Sequence, residues 1–394
     1  MMQNIRDAAT VASLALAGIL TAIVVSVHSA AAESDSQAKL DRLMEQLGNL
    51  ELGLGATGIV QGTIHNDANN PDDGETQDAT WSIDLEIGAP IGEHGQAFIL
   101  IEAGQGAGLT NDPGVGDSFF GVNDDAGDTE AKLEVTEVWY EHLLWGERVI
   151  FTLGKIDLTN YFDTNAVAND ETSQFLSSGL VNSVAITFPE DNGAGVRLTT
   201  TPAPWLALSV GWAEHDADFE DVFDDSFLIG EADFTLSIGQ HPGTYRFYIW
   251  YNLADFPSFD NPNDTDHNWG AGLSIDQQLL EPISIFLRLA FQQDDVSEVA
   301  VAWSSGVQIL GTWWKRPEDA VAVALGQAVL GDDFKDSAAA PARTGDEWFV
   351  ETYYRYVWSD YLAFSLHLQV IDNAGGNKDL DTITVIGGRA QLTF

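Results

Sequence analysis

Cations are scarce in this chain, so their placement carries information. Lysine and arginine total 16 against 61 aspartates and glutamates, a formal net charge of -45. Arg197, Arg246, Arg288, Arg355 and Arg389 all fall on the polar parity of segments that alternate polar and apolar residues. Asp84, Glu86, Glu102, Glu231, Asp233 and Glu351 fall on the polar parity of theirs. Guanidinium forks and carboxylates facing one another across a narrow aqueous space create a transverse field and present paired donors and acceptors. Solutes rich in hydroxyls suit that lining, because each hydroxyl donates and accepts. Tyr248 and Trp250 share the parity and offer a stacking face. The bland alternative is that inward Arg and Glu pair to keep a wall rigid and hydrated.

Other chemistries find little footing. The chain has no cysteine, so thiolate centres and disulfides are excluded. No Gly-x-Ser-x-Gly occurs and histidine is scarce, so no catalytic residues and no enzyme are expected. His367 lies on the polar parity without metal-ligating neighbours in sequence. The runs Asn66–Asp73, Asp124-Asp125 and Asp216–Asp225 can hold Ca²⁺ loosely, but none has a full Ca²⁺-loop spacing. They read as solvated acidic loops, and neither a metal nor a cofactor is expected. Such acidity also excludes nucleic acid as a partner.

These residues need elements to position them. Val11–Val25 is an apolar run after Arg6, ending in Ser29-Ala30-Ala31-Ala32, which reads as a signal peptide over 1–32 and implies export. Residues 33–51 read as an amphipathic periplasmic helix, with Leu40, Leu43, Leu47 and Leu50 in 3-4-3 spacing. It either caps, plugs or helps trimerise the remainder of the chain, or packs on whatever is nearby. From residue 52 to 394 the period is two. Ile283, Ile285, Leu287, Leu289 and Phe291 alternate with residues such as Ser284 and Arg288, and four other segments do the same. The pattern predicts about sixteen strands, joined alternately by short and long connections. That rhythm belongs to an all-β transmembrane antiparallel barrel with short periplasmic turns and long outer loops. Leu133 and Val135 oppose Val138 and Tyr140 in parity, which calls for a bulge near Thr136. Tryptophans near strand ends, Trp81, Trp145, Trp205, Trp269, Trp313, Trp348 and Trp358 among them, predict interfacial girdles.

Sixteen strands enclose a water-filled lumen rather than a packed core. The connection 156–192 carries Asp157, Tyr161, Asp163, Asn165, Asn169, Asp170 and Glu171 together with Phe175, Leu176, Leu180 and Ile186. Its apolar residues have little use outside, so it is expected to fold inward and narrow the channel.

Several stretches resemble the OprB family of carbohydrate-selective porins. They are Gly154-Lys155-Ile156-Asp157, Tyr161-Phe162-Asp163, Asn165, Ala168-Asn169-Asp170, Phe175-Leu176-Ser177, Trp303–Gln308, Glu351–Tyr356, Leu368–Gly376 and Gly387–Phe394. The resemblance implies passive diffusion of glucose-like sugars through the outer membrane. Lys155, Asp157, Tyr161, Asp163, Asn165, Asn169, Asp170, Arg197, Arg246, Trp250, Arg288, Glu351, Arg355 and Arg389 are then the expected pore-lining or substrate residues. Small sugars, outer-membrane lipid and lipopolysaccharide, and the barrel-assembly machinery through Phe394 are the expected partners, with a homotrimer as a further arrangement. The chain departs from the family in its acidity and in Ala374, where the family has proline. A general cation-preferring porin without sugar selectivity is the competing reading.

Overall fold

The computed structural model describes residues 50–65 and 76–394, apart from 113, 128, 190 and 262. The signal peptide expected over 1–32 and nearly all of the helix expected over 33–51 lie outside the described residues. Glu51, the last residue of that expected helix, is instead the first residue of a strand.

The wall consists of sixteen strands: β1 (Glu51–His65), β2 (Gln77–Ile91), β3 (Gly95–Gln105), β4 (Lys132–Leu144), β5 (Val149–Ile156), β6 (Gly193–Ala203), β7 (Leu206–Glu214), β8 (Ser226–Ile238), β9 (His241–Pro257), β10 (Thr265–Leu280), β11 (Ile283–Gln292), β12 (Val299–Gly311), β13 (Arg316–Leu330), β14 (Glu347–Ser359), β15 (Leu362–Asp372) and β16 (Ile383–Thr393). Each pairs antiparallel with its neighbours, and β1 closes on β16 with Gly55 opposite Thr393. Closure leaves no sheet edge, so every ladder group is satisfied within the wall, as lipid demands. Two short helices, α1 (Ser178–Val181) and α2 (Asp332–Asp336), lie in connections.

Alternation places one parity in lipid. On β11, Ile285, Leu287, Leu289 and Phe291 are 36–45% exposed, while Phe286, Arg288 and Ala290 between them are at most 1% exposed. The parity conflict in β4 resolves as expected. Leu100 pairs with Glu137 and Ile101 with Val135, leaving Thr136 as the extra residue of a bulge. Exposed aromatics form two belts. Trp145, Trp205, Trp313, Trp358 and Tyr361 sit at the short turns, and Trp81, Trp269 and Trp348 at the long-loop end. Amphipathic rings at both boundaries fix the depth of a barrel in a bilayer.

The inside departs from a simple open tube. Two connections, 106–131 and 157–192, enter it. Leu109, Val115, Phe120 and Val122 of the first, and Leu158, Phe162, Phe175, Leu180 and Ile186 of the second, are buried. They pack against an inner face that is itself largely apolar from β8 to β16: Phe227, Trp250, Phe286, Phe349, Tyr353 and the alanines of β13 at 320, 322, 324 and 328. Small wall residues make the room. A Cβ on Gly326 would lie 2.3 Å from the Phe120 ring. The expectation of a lumen without a packed core is therefore corrected: much of the cross-section is a hydrophobic core between wall and inward segments. Burial of each such aromatic stabilises by roughly 1.5–3 kcal/mol, enough in aggregate to order polypeptide that would otherwise be a solvated loop.

Candidate functional site

Segment 157–192 starts from a tight junction. Gly154 has φ +150, and a Cβ there would lie 2.1 Å from the Val138 carbonyl, so only glycine lets β5 approach β4 so closely. The Asp157 side chain then accepts from the Thr159 amide at 2.8 Å and starts a turn that sends Phe162 and Asp163 into the core.

Wall side chains hold both segments by their backbones. Glu347 accepts the Phe119 and Phe120 amides, each at 3.0 Å, and Glu351 accepts those of Leu176 (2.9 Å) and Ser177 (3.1 Å). Gln61 and Gln369 both donate to the Val122 carbonyl. Arg288 donates to the carbonyls of Leu180 and Asp163, to Asn169 Oδ1, and ion-pairs with Asp163 at 3.2 Å. Arg389 donates to the carbonyls of Glu171 and Gln174. Asn165 donates to Ser274 and to the Ile275 carbonyl, and the Ser274 hydroxyl donates to the Thr164 carbonyl. The segments also bind each other, the Asp124 amide donating to the Leu176 carbonyl at 2.8 Å and the Gly179 amide to the Phe120 carbonyl.

What stays open is an aqueous space of about 1030 Å³ against β1–β4 and the tip of β16. Its charge is one-sided. Asp84, Glu86, Glu102, Glu134 and Glu137 face it from the wall, and Asp125, Asp157, Glu171 and Asp191 from the inward segments. Among the described residues lining it, Lys132 is the one cation, and it pairs with Glu134. Phe98 also lines the space, its ring stacked on Trp139 at 4.8 Å. Three lumen carboxylates on the inward segments are held well above the ordinary range. Burial deep in the barrel, and then the charge of Asp157, raise Asp124 to about 6. Burial raises Asp125 to about 7, and burial with the nearby Asp124 raises Glu171 to about 8. Asp124 keeps an exposed edge, yet protein surrounds it on most sides.

The model of the carbohydrate-selective porin family OprB matches residues 72–394. The chain belongs to the OprB family. An uncharacterised protein of Aquifex aeolicus is 27% identical over 241 residues, and the match covers 61% of this chain and 63% of that protein. The chain thus matches under two thirds of the length of that curated relative. Among solved structures, the high-pH form of Pseudomonas putida OprB superposes with a TM-score of 0.78 at 18% identity, covering 90% of this chain and 96% of the other. The channel DcaP of Acinetobacter baumannii gives 0.54 at 15% identity, covering 88% and 97%. At these identities the likeness is one of fold.

Set on this OprB-type barrel, the residues expected at the pore separate into two groups. Asp157 faces the open lumen, and Lys155 pairs with the lumen carboxylate Glu134 at 3.5 Å. Arg355 reaches Gln391, which lines the same space. The others lie between wall and inward segments. Asp163, Arg288, Glu351, Trp250 and Arg389 are at most 3% exposed. Asn165, Asn169 and Asp170 bond within segment 157–192 or to the wall beside it. Arg197 pairs with Glu141 at 2.7 Å and lies over the Tyr161 ring at 4.0 Å, and Arg246 pairs with Asp276 at 2.6 Å. Tyr248 and Trp250 are covered, so the aromatic face at the lumen is Phe98 instead. His367 is not alone: its Nδ1 lies 2.9 Å from Glu351 Oε1. Asp124 and Asp125, read from sequence as part of a solvated outer loop, belong to the inward segment 106–131. Their signal was available in the spacing of Leu109, Val115, Phe120 and Val122, but seven glycines between 104 and 127 disguised it as surface loop.

Proposed function

We propose that small sugars diffuse passively through the lumen between the β1–β4 wall and the two inward segments. We further propose that this wall admits neutral and cationic solutes and turns back anionic solutes of equal size. The observation that carries the reading is the charge of the opening: nine carboxylates face it, while Arg197, Arg246, Arg288 and Arg389 are engaged with the segments or with neighbouring carboxylates. Within a low-dielectric tube such one-signed charge concentrates cations and excludes anions over about a Debye length. A neutral sugar feels little of that field and exchanges hydrogen bonds with carboxylates, while Phe98 offers its ring an apolar surface.

In this reading Asp157 meets the solute directly and Lys155 acts through Glu134. Tyr161, Asp163, Asn165, Asn169, Asp170, Arg197, Arg246, Trp250, Arg288, Glu351 and Arg389 set the width of the passage by fixing its inner boundary, and Arg355 acts through Gln391. A cleaved leader over 1–32 delivers the chain to the outer membrane. Phe394, exposed at the short-turn end, is the residue the assembly machinery would read.

The test is flux into liposomes carrying the full mature chain. Glucose and glucosamine should enter at comparable or higher rates than expected from size, and glucuronate about tenfold more slowly at low salt. Equal rates for all three would reject the charge filter. A current that glucose fails to block in a saturable way would favour a general cation-preferring porin.

A further inference from the structure

At the outer end of β7 the chain runs Glu214-His215-Asp216-Ala217-Asp218, with carboxylates at alternate positions. Carboxylate oxygens of Glu214, Asp216 and Asp218 all lie within 4.8 Å of one another. Among the described residues this is the one such group of three. Acidic neighbours on a loop are ordinarily spread by repulsion and solvated, and Asp216 and Asp218 are exposed. Glu214 is different. It is 1% exposed, and a carboxylate oxygen of its buried side chain lies within 4.8 Å of one from each of the other two. Its Oε2 accepts the Ala194 amide at 3.3 Å, whereas its Oε1 is enclosed with no hydrogen-bond partner. The Phe219 amide points toward this carboxylate without closing a bond of ordinary geometry on Oε1.

A buried carboxylate oxygen without a donor costs its full desolvation. Two further carboxylates beside it would make that cost worse unless a cation sits among them. The geometry points to a Ca²⁺ site formed by Glu214, Asp216 and Asp218 at the mouth of the barrel. Oxygen donors alone, hard and anionic, select Ca²⁺ over softer metals. Three carboxylates supply part of the roughly six to eight oxygens that Ca²⁺ takes, with water completing the shell. Alternate spacing along an irregular backbone suits this, since it turns successive side chains inward. The Asp218 side chain accepts the Glu220 amide at 2.6 Å, which holds the turn in that shape.

Terbium luminescence excited through tryptophan tests the site on the full-length protein in detergent. Trp212 is two residues from Glu214 and packs on Phe223 of the same loop at 5.2 Å, so it can sensitise the bound lanthanide. Wild type should show a saturable Tb³⁺ signal that Ca²⁺ displaces with an apparent Kd on the order of 10⁻⁴–10⁻³ M. Asp216→Asn with Asp218→Asn should weaken that displacement at least tenfold, and Trp212→Phe should remove most of the signal. Asp332→Asn with Asp333→Asn, in another loop, should leave both unchanged. Glu214→Gln should also abolish binding; if it fails to fold, the double Asn variant of two exposed residues decides. No saturable signal in wild type, or equal signal in the double Asn variant, overturns the proposal.

Discussion

The two halves of this barrel use the same strand alternation for opposite ends. From β8 to β16 the inward parity carries aromatics, alanines and arginines, and it binds polypeptide. From β1 to β4 it carries carboxylates and glycines that face water, although Gln61 and Ser82 nearer the outer end hold segment 106–131. Both faces would be classed as the non-lipid side of a porin wall. The difference shows that the lumen is set less by strand number than by which arc of wall can hold the inward segments. Where a wall offers apolar surface plus backbone-directed donors and acceptors, a segment docks. Where it offers only negative charge, an acidic chain stays away and water remains.

If the packed arc is what narrows the channel, emptying it should have the largest effect. Phe120 is 1% exposed, stacks on Phe349 at 5.2 Å and fills the space over Gly326. Phe120→Ala should cost about 3–5 kcal/mol of local packing. Single-channel conductance should rise several-fold, with proteolysis now reaching 106–131. Unchanged conductance would mean that this segment does not bound the passage. Next comes the buried Arg288–Asp163 pair, with side chains 1% and 0% exposed. Arg288→Ala strands a buried carboxylate and should cost about 3–5 kcal/mol in denaturant unfolding. The exposed pair Arg343–Asp379 makes the control, and Arg343→Ala should shift stability by less than about 1 kcal/mol.

The open arc makes a different demand. Neutralising Asp84, Glu86 and Glu102 together, as Asp84→Asn, Glu86→Gln and Glu102→Gln, should leave conductance within about twofold. It should reduce the cation preference seen in reversal potentials at low salt, where screening is weakest. The same potentials should be unmoved by Arg246→Gln, since Arg246 already pairs with Asp276 away from the opening. If the two variants shift selectivity equally, the division between arcs fails.

How much of this could be read beforehand depends on the range of each interaction. Strand positions, the bulge at Thr136 and the tryptophan belts are local, because period-two alternation and its breaks are written in adjacent residues. The inward course of 157–192 was also legible, since Phe175, Leu176 and Leu180 had no use in water. Its twin, 106–131, is not legible in the same way, because its few apolar residues are diluted by glycine and aspartate. The inward parity of the arginines is written in the sequence, but parity cannot say whether an inward side chain meets water or another segment. Arg288 and Arg389 meet polypeptide 108 and 215 residues away in sequence. That partnership is tertiary and no periodicity encodes it.

The subtlest prediction concerns pH. Asp124, Asp125 and Glu171 sit at about 6, 7 and 8, raised first by burial in the inward segments and further by like charge nearby. Each binds its proton more tightly in the folded state than in the unfolded chain, so acidification favours the docked segments. Their contribution to stability is therefore greatest at low pH and is lost as pH rises toward about 8, the highest of the three. Lumen charge moves the opposite way and becomes less negative as pH falls from about 8 to about 6. Cation preference should decline over that interval. Asp125→Asn with Glu171→Gln should flatten the profile without abolishing selectivity. A profile equally steep in that double variant would place the titrating charge on the wall and not on the segments, and with it the distinction between the two arcs would weaken.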